Sequence, residues 1–423
     1  MTTASSPSLR LVADQRAVVT ALADALTHPE ASGGDYGRCS RRWWAQSIAH
    51  GAAGVAILHA ALDRTGGDRE VVHRWLAAAV AEQLSAAPGA GAWFGAPAVW
   101  FAFTHTTRDD SYRTARAALD RSLDDITRDR LAAAHARFHT RTRPHLQEFD
   151  LVNGLAGLGG YLLQRDPAHP LVAQVLSYLV ALTEPVAADD AAGIAVPGWW
   201  TTDPPSGQPT VRGGHSDQGA AHGIGGPLSL LALAGRAGIW VPGQRAAMHR
   251  IIDWYDGIAA TTDAGYWWPQ RLTWPHRATD ATAQTEPGRP SWCYSTPGIA
   301  RALQLAGIAL GDIDLQHRAE HILLAAVTDP TQLQQVSDVS LCHGWAGIAL
   351  TTWCAARDST DSALTAALPA LTDAFTDALG ATDCAPPLGA PTGLVQGVAG
   401  AALTLHSLTE NQVNGWARCL LLI

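Results

Sequence analysis

A glycine-bearing turn that runs straight into an apolar stretch recurs seven times in this chain of 423 residues, and self-similarity of that kind constrains the fold more than any single motif. The copies begin with Ser47-Ile-Ala-His50-Gly51-Ala-Ala-Gly54, a worn Trp93-Phe-Gly95-Ala-Pro-Ala98 and Asp150-Leu-Val-Asn-Gly154-Leu-Ala-Gly157. They continue with Ala221-His222-Gly223-Ile-Gly225-Gly-Pro227, Ser291-Trp292-Cys293-Tyr294-Ser295-Thr296-Pro297-Gly298, Leu341-Cys342-His343-Gly344-Trp345-Ala346-Gly347 and Gly393-Leu-Val-Gln-Gly397-Val-Ala-Gly400. Each apolar stretch is hydrophobic nearly all round, as a helix buried on every side must be.

Between the copies lie one-faced patterns: Val71, Val72, Trp75, Leu76, Val80 and Leu84 fall at helical spacing, and so do Leu364, Leu368, Leu371, Phe375 and Leu379. Seven buried inner helices alternating with seven half-wet outer ones describe an all-α, α/α toroid. The seven turns would then gather at one end, with glycine supplying close approach and left-handed angles and the inner-helix N-termini aiming their positive ends at a shared cavity. We read residues 1–423 as one such domain. The exception is Glu184 to Gln218, rich in Pro, Gly and Thr, where no helical period can be sustained. That segment, 184–218, is expected to be an inserted irregular or β-rich subdomain, or a long surface loop.

Composition removes several function classes. A formal charge of −9 offers no basic face for nucleic acid. All 29 basic residues are arginine, which rules out Schiff-base lysine chemistry and a lysine-dependent P-loop. Met1 to Gln15 has no apolar signal core, and the longest apolar stretch, Gly223 to Gly235, is too short and glycine-rich to span a bilayer; the expectation is a cytoplasmic protein. Six cysteines without a CxxC pair make no disulfide framework, so Cys39, Cys354, Cys384 and Cys419 are expected to be free thiols.

Two of the turns carry chemistry. Cys293, Cys342 and His343 form a two-thiol, one-imidazole set, and three protein ligands leave the fourth tetrahedral position of zinc open, as catalytic sites require. By chemistry alone the same residues also read as two core thiols and a hydrogen-bonded histidine.

Trp-Cys-Tyr-x-x-Pro-Gly followed by Cys-His-Gly-x-Ala-Gly resembles the lanthionine synthetase C-like family, the lanthipeptide cyclases. The resemblance runs from Ser47 to the closing Trp416-x-x-Cys-Leu-Leu-Leu-Ile. It implies an α,α-barrel of seven inner and seven outer helices, with one zinc per chain on Cys293, Cys342 and His343. The reaction it implies is Michael addition of peptide cysteine thiols to dehydroalanine or dehydrobutyrine, giving thioether rings. A dehydrated precursor peptide would be the substrate. A separate dehydratase would supply it, with an exporter in a biosynthetic complex and any membrane association arising through those partners. A small β subdomain near 184–218, thought to contact the peptide, is also a family feature.

Residue by residue, His222 matches the family's general acid, which the enolate left by thiol attack requires. Taken alone it reads more readily as a capping or core histidine. Asp150 matches the catalytic aspartate that orients His222, or it is a helix N-cap. Arg289 matches an arginine needed for activity and would hold the enolate oxygen or the acid group, or it is a solvated arginine in a Pro-Gly loop. His50 repeats the His-Gly motif without a metal partner and stays outside the site. Two departures stand out: Ser295 replaces the family's glycine, which would retune the turn or crowd the substrate, and Ala98 replaces the later glycine of the second copy.

Two other readings keep the toroid: transfer of glutathione to dehydrated residues, as eukaryotic relatives do, and a non-catalytic peptide-binding ring. The arginine-only, alanine-rich composition favours a bacterial biosynthetic cyclase, and the intact ligands and His222 favour catalysis. Terpene cyclases fail because Asp124-Asp125-Ile-Thr-Arg128 lacks the third carboxylate, and toroidal glycosidases need a carboxylate pair and no metal.

Overall fold

The computed structural model describes residues 7–29, 45–62, 69–106, 111–187, 195–204, 211–263, 265–274, 284–380 and 391–423. Cys39, Cys384 and parts of the 184–218 segment lie outside the described residues.

Among the described residues, fourteen helices longer than one turn alternate between two shells. The outer shell is α1 (Pro7–Ala25), α3 (Arg69–Ala79), α5 (Arg113–Thr140), α7 (Pro170–Leu182), α9 (Gln244–Ile258), α11 (Ile313–Thr328) and α13 (Ala363–Gly380). The inner shell is α2 (Ala52–Leu62), α4 (Ala96–Thr106), α6 (Leu155–Arg165), α8 (Gly225–Arg236), α10 (Thr296–Leu310), α12 (Trp345–Asp358) and α14 (Val398–Thr409). α14 packs back on α2 and closes the ring. This is the α/α toroid expected from the repeats.

Burial follows the hydrophobic patterns. In α2 every residue from Ala52 to Ala60 is buried, and in α10 every residue from Thr296 to Gly307. α3 buries only Val71, Val72, Trp75, Leu76 and Ala79. Val80, expected on that face, is 40% exposed because the helix stops at Ala79. Leu368 of α13 is half-buried beside its buried neighbours Leu364 and Leu371. A single apolar cluster runs through both shells and takes in the C-terminal segment. There a 3-10 helix, Gly415–Leu420, packs against α4 and α6. Trp93 donates to the Cys419 carbonyl (3.1 Å), and the buried Arg301 donates to the Leu422 carbonyl through Nε (3.2 Å) and a terminal nitrogen (2.7 Å).

At the other end the seven turns are joined by backbone hydrogen bonds into a closed belt. Ile48 N donates to Trp93 O, Trp93 N to Val152 O, Leu151 N to Ala221 O and Ala221 N to Cys293 O. Cys293 N then donates to Cys342 O, Cys342 N to Val395 O, and Leu394 N back to Ile48 O. Each turn donates to the next, and the seventh donates to the first. The later glycine, present in every turn but the second, allows close approach: a Cβ at Gly298 would fall on the Trp292 carbonyl, and one at Gly347 on the Leu341 carbonyl. The left-handed backbone expected of the turn glycines is confined to Gly95; the other positive-φ glycines among the described residues lie outside the belt.

Among the described residues three small antiparallel pairs accompany the helices: β1 (Val186–Ala187) with β2 (Ala195–Val196), β3 (His215–Asp217) with β6 (Arg271–Thr273), and β4 (Ala260–Thr262) with β5 (Gly265–Trp267). β1 to β3 fall within 184–218, and the β3–β6 register places Asp217 opposite Arg271.

Candidate active site

The belt sets side-chain position by register. Within every turn the residue just before the first-glycine position is half-buried, while the three residues preceding it are buried. In the fourth, fifth and sixth turns that residue is His222, Tyr294 and His343; Cys293 and Cys342 each stand one position earlier. Because Ala221 N bonds Cys293 O and Cys293 N bonds Cys342 O, three successive turns carry the imidazoles and thiols to one stretch of the belt.

Cys293, Cys342 and His343 each bring a ligand atom within 4.8 Å of the others. The hydrogen bond from Cys342 pulls the Cys293 thiol down to about 5; it outweighs burial, and His343 and Ser291 add to it. Cys342 moves upward through the same bond and through burial, so the two thiols are shifted in opposite directions by one contact. His343 Nε2 stands 3.3 Å from Asp338 Oδ2. Metal-binding imidazoles commonly have a carboxylate behind their other nitrogen. The donor set fits zinc: two soft sulfurs, one imidazole and room for a fourth ligand.

Asp150, wholly buried, bonds both its own turn and His222, although the N-cap residue of α6 is Gly154. Its Oδ1 accepts from Asn153 N and Gly154 N, each at 2.7 Å, capping the turn before α6, while Oδ2 lies 2.6 Å from His222 Nδ1. Burial alone would lower the His222 pKa. The hydrogen bond and charge of Asp150, with Asp217 and Cys293 behind it, outweigh burial and raise it. The His222 ring stacks on Tyr294 with centroids 6.0 Å apart and planes inclined by 30°.

Arg289 lies on the His343 side of the site. It reaches Ser337 Oγ at 3.3 Å and Asp338 Oδ2 at 3.5 Å, and a third of its side chain is exposed. Ser295 has φ −129°, extended backbone open to any residue, and its Oγ accepts from Ser291 N at 2.6 Å. The hydroxyl therefore folds back into its own turn. Cys354 and Cys419 are buried free thiols.

Sequence reasoning missed two carboxylates. Asp338 also accepts from Ser340 N (2.8 Å), tying its own turn together. Asp217, 2% exposed, accepts from Gly219 N (3.1 Å) and faces Arg271 at 3.8 Å; burial pushes its carboxyl up to about 6. Neither belongs to a motif, but the Asp-x-Ser that opens the sixth turn, Asp338-Val-Ser340, is a local turn signal that could have revealed the first.

The comparisons agree with this architecture. The nisin biosynthesis protein NisC of Lactococcus lactis subsp. lactis is 23% identical over 258 residues, 60% of this chain and 59% of that protein, so the aligned part spans about three fifths of the relative. The solved structure of nisin cyclase matches with a TM-score of 0.76 at 20% identity, covering 96% of this chain and 97% of its own, which is a likeness of fold. No described helix is long and apolar enough to cross a membrane. A family model described as lanthionine synthetase C-like protein matches residues 42–421, and the chain belongs to that family.

Proposed function

We propose that the chain is a zinc-dependent lanthipeptide cyclase that adds peptide cysteine thiols to dehydroalanine or dehydrobutyrine within a dehydrated precursor peptide. The observation that carries this reading is the adjacency, on three successive belt turns, of a Cys2His donor set and a carboxylate-backed histidine. Cys293, Cys342 and His343 would hold the metal, with Asp338 and Arg289 fixing the imidazole from behind. A zinc ion on such a set supplies Lewis acidity that keeps a substrate thiol ionised near neutral pH.

His222 acts at the acceptor. As the thiol sulfur bonds to the β-carbon, the alkene pair moves to the α-carbon and amide oxygen as an enolate. Asp150 occupies Nδ1, so the proton available to the α-carbon is the one on Nε2, and the hydrogen bond and charge of Asp150 favour its retention by raising the pKa. The proton lost by the thiol restores the imidazolium, and the product is the sum of its reactants. Tyr294 flanks this transfer. The 184–218 segment, whose β3 leads directly into the His222 turn, would form part of the wall facing the peptide. A separate dehydratase must supply the substrate, an exporter would act on the product, and a cytoplasmic setting suits both.

The test is a peptide carrying one cysteine and one dehydroalanine, incubated with zinc-loaded protein and excess glutathione. Unchanged mass with loss of the alkylatable thiol is expected. Predominant glutathione adducts with the peptide thiol intact would overturn the cyclase assignment.

A further inference from the structure

The half-buried position that supplies His222, Tyr294 and His343 occurs in the other four turns as well, where it holds His50, Phe94, Asn153 and Gln396. These four share the belt register and the burial pattern of the three reactive residues. They are also contiguous through the backbone. Gln396 N donates to Ala49 O at 3.0 Å, and Gly393 presses on the His50 backbone as Gly91 does on that of Asn153.

Their side chains differ from those of the reactive arc in one respect. His222 is bonded to Asp150 and His343 faces Asp338, whereas the side chains of His50, Asn153 and Gln396 have no hydrogen-bond partner among the described residues. Burial lowers the His50 pKa, which keeps its ring neutral. The arc therefore offers two amides, a neutral imidazole and a phenyl ring, and no charge. Free amide donors and acceptors match the alternating N–H and C=O groups of an extended peptide, and an aromatic face packs on its side chains.

We propose that His50, Phe94, Asn153 and Gln396 form a main-chain-binding arc that holds the peptide flanking the acceptor residue, opposite the thiols and His222. This rests on the cyclase reading for the identity of the occupant. The arc binds and orients; it takes no part in the transfer of sulfur or proton.

The experiment compares a His50→Ala/Gln396→Ala double variant, and separately Phe94→Ala, with wild type on two probes. One is a ten-residue peptide with one dehydroalanine and one cysteine; the other is N-acetyl-dehydroalanine methylamide with a small thiol, too short to reach the arc. Losing two hydrogen bonds should raise KM for the peptide about 5- to 30-fold, with kcat within about threefold, zinc content unchanged and the small acceptor reacting at the wild-type rate. Unchanged KM, or equal losses on both probes, would overturn the arc. Affinity of the zinc-loaded protein for the same peptide, measured by calorimetry, separates the two ideas. If wild type forms no thioether yet binds the peptide, and the variants do not, the cyclase reading falls and the arc stands. If wild type does not bind the peptide, the arc falls.

Discussion

His50 and His222 stand in the same His-Gly turn, at the same register of the same belt, and both are half-buried. They titrate in opposite directions: burial lowers His50, whereas His222 is raised despite burial. The difference lies one turn back. The belt neighbour that donates to the His222 turn begins with Asp150, while the neighbour that donates to the His50 turn begins with Gly393. A Cβ at Gly393 would meet the Ala49 carbonyl and the His50 backbone, so that seat cannot hold a carboxylate as built. The motif alone does not raise the imidazole. The residue placed behind it by the adjoining repeat does.

The largest test removes the reaction from one arc altogether. Cys342→Ala should lower zinc from about one per chain toward zero by elemental analysis and abolish ring closure. A metal-free variant cyclising at the wild-type rate would end the contrast between the two arcs. Next, His222→Ala should slow kcat by about 10²-fold or more with zinc and circular dichroism unchanged, whereas His50→Ala should leave kcat within about threefold. Comparable kcat losses would make the two turns equivalent.

A pH profile sharpens the comparison further. If His222 works protonated, as proposed, its raised pKa means that activity should persist at low pH and fall as pH rises through that elevated value. Asp150→Asn retains an oxygen for the turn amides but removes the charge, so the falling limb should move to lower pH, in the direction of His50. A limb that stays in place would show that Asp150 acts only as a cap. The same sign governs stability: the His222–Asp150 pair contributes most below the unfolded histidine pKa, and its contribution is lost as pH rises through the folded one. Last and smallest, Gly393→Asp should fail to convert His50. It should lower stability by about 1–3 kcal/mol in a denaturant titration through the backbone clash, without shifting the pH profile.

The toroid was legible because burial differs between shells and hydrophobic patterning records burial; α2 and α3 differ in sequence as they do in space. The thiols and His343 were legible because that chemistry needs rare residue types at marked turns. The arc of His50, Phe94, Asn153 and Gln396 was not singled out, although the aligned repeats contain it. Its meaning depends on knowing that each later glycine abuts a carbonyl six residues earlier, which fixes the register. Asp217 escaped for another reason: β3 is three residues long and pairs with a strand more than fifty residues later, too short and too distant to leave a period. Arg289 was singled out by resemblance, but its partner Asp338 was not, since its only local mark is an Asp-x-Ser turn signal that says nothing of a partner forty-nine residues away.

The belt's closing bond has a bearing on how such a chain reaches its native state. Leu394 and Ile48 are separated by 346 positions, so sealing the seam requires nearly the whole polypeptide to be in place, and contacts of that span are entropically costly and slow to form. His222, Cys293, Cys342 and His343 sit on consecutive repeats away from the seam, joined by links that span about fifty to seventy residues each. Every link of the belt but the seam is of that comparatively local kind, and the seam falls between the turns of His50 and Gln396.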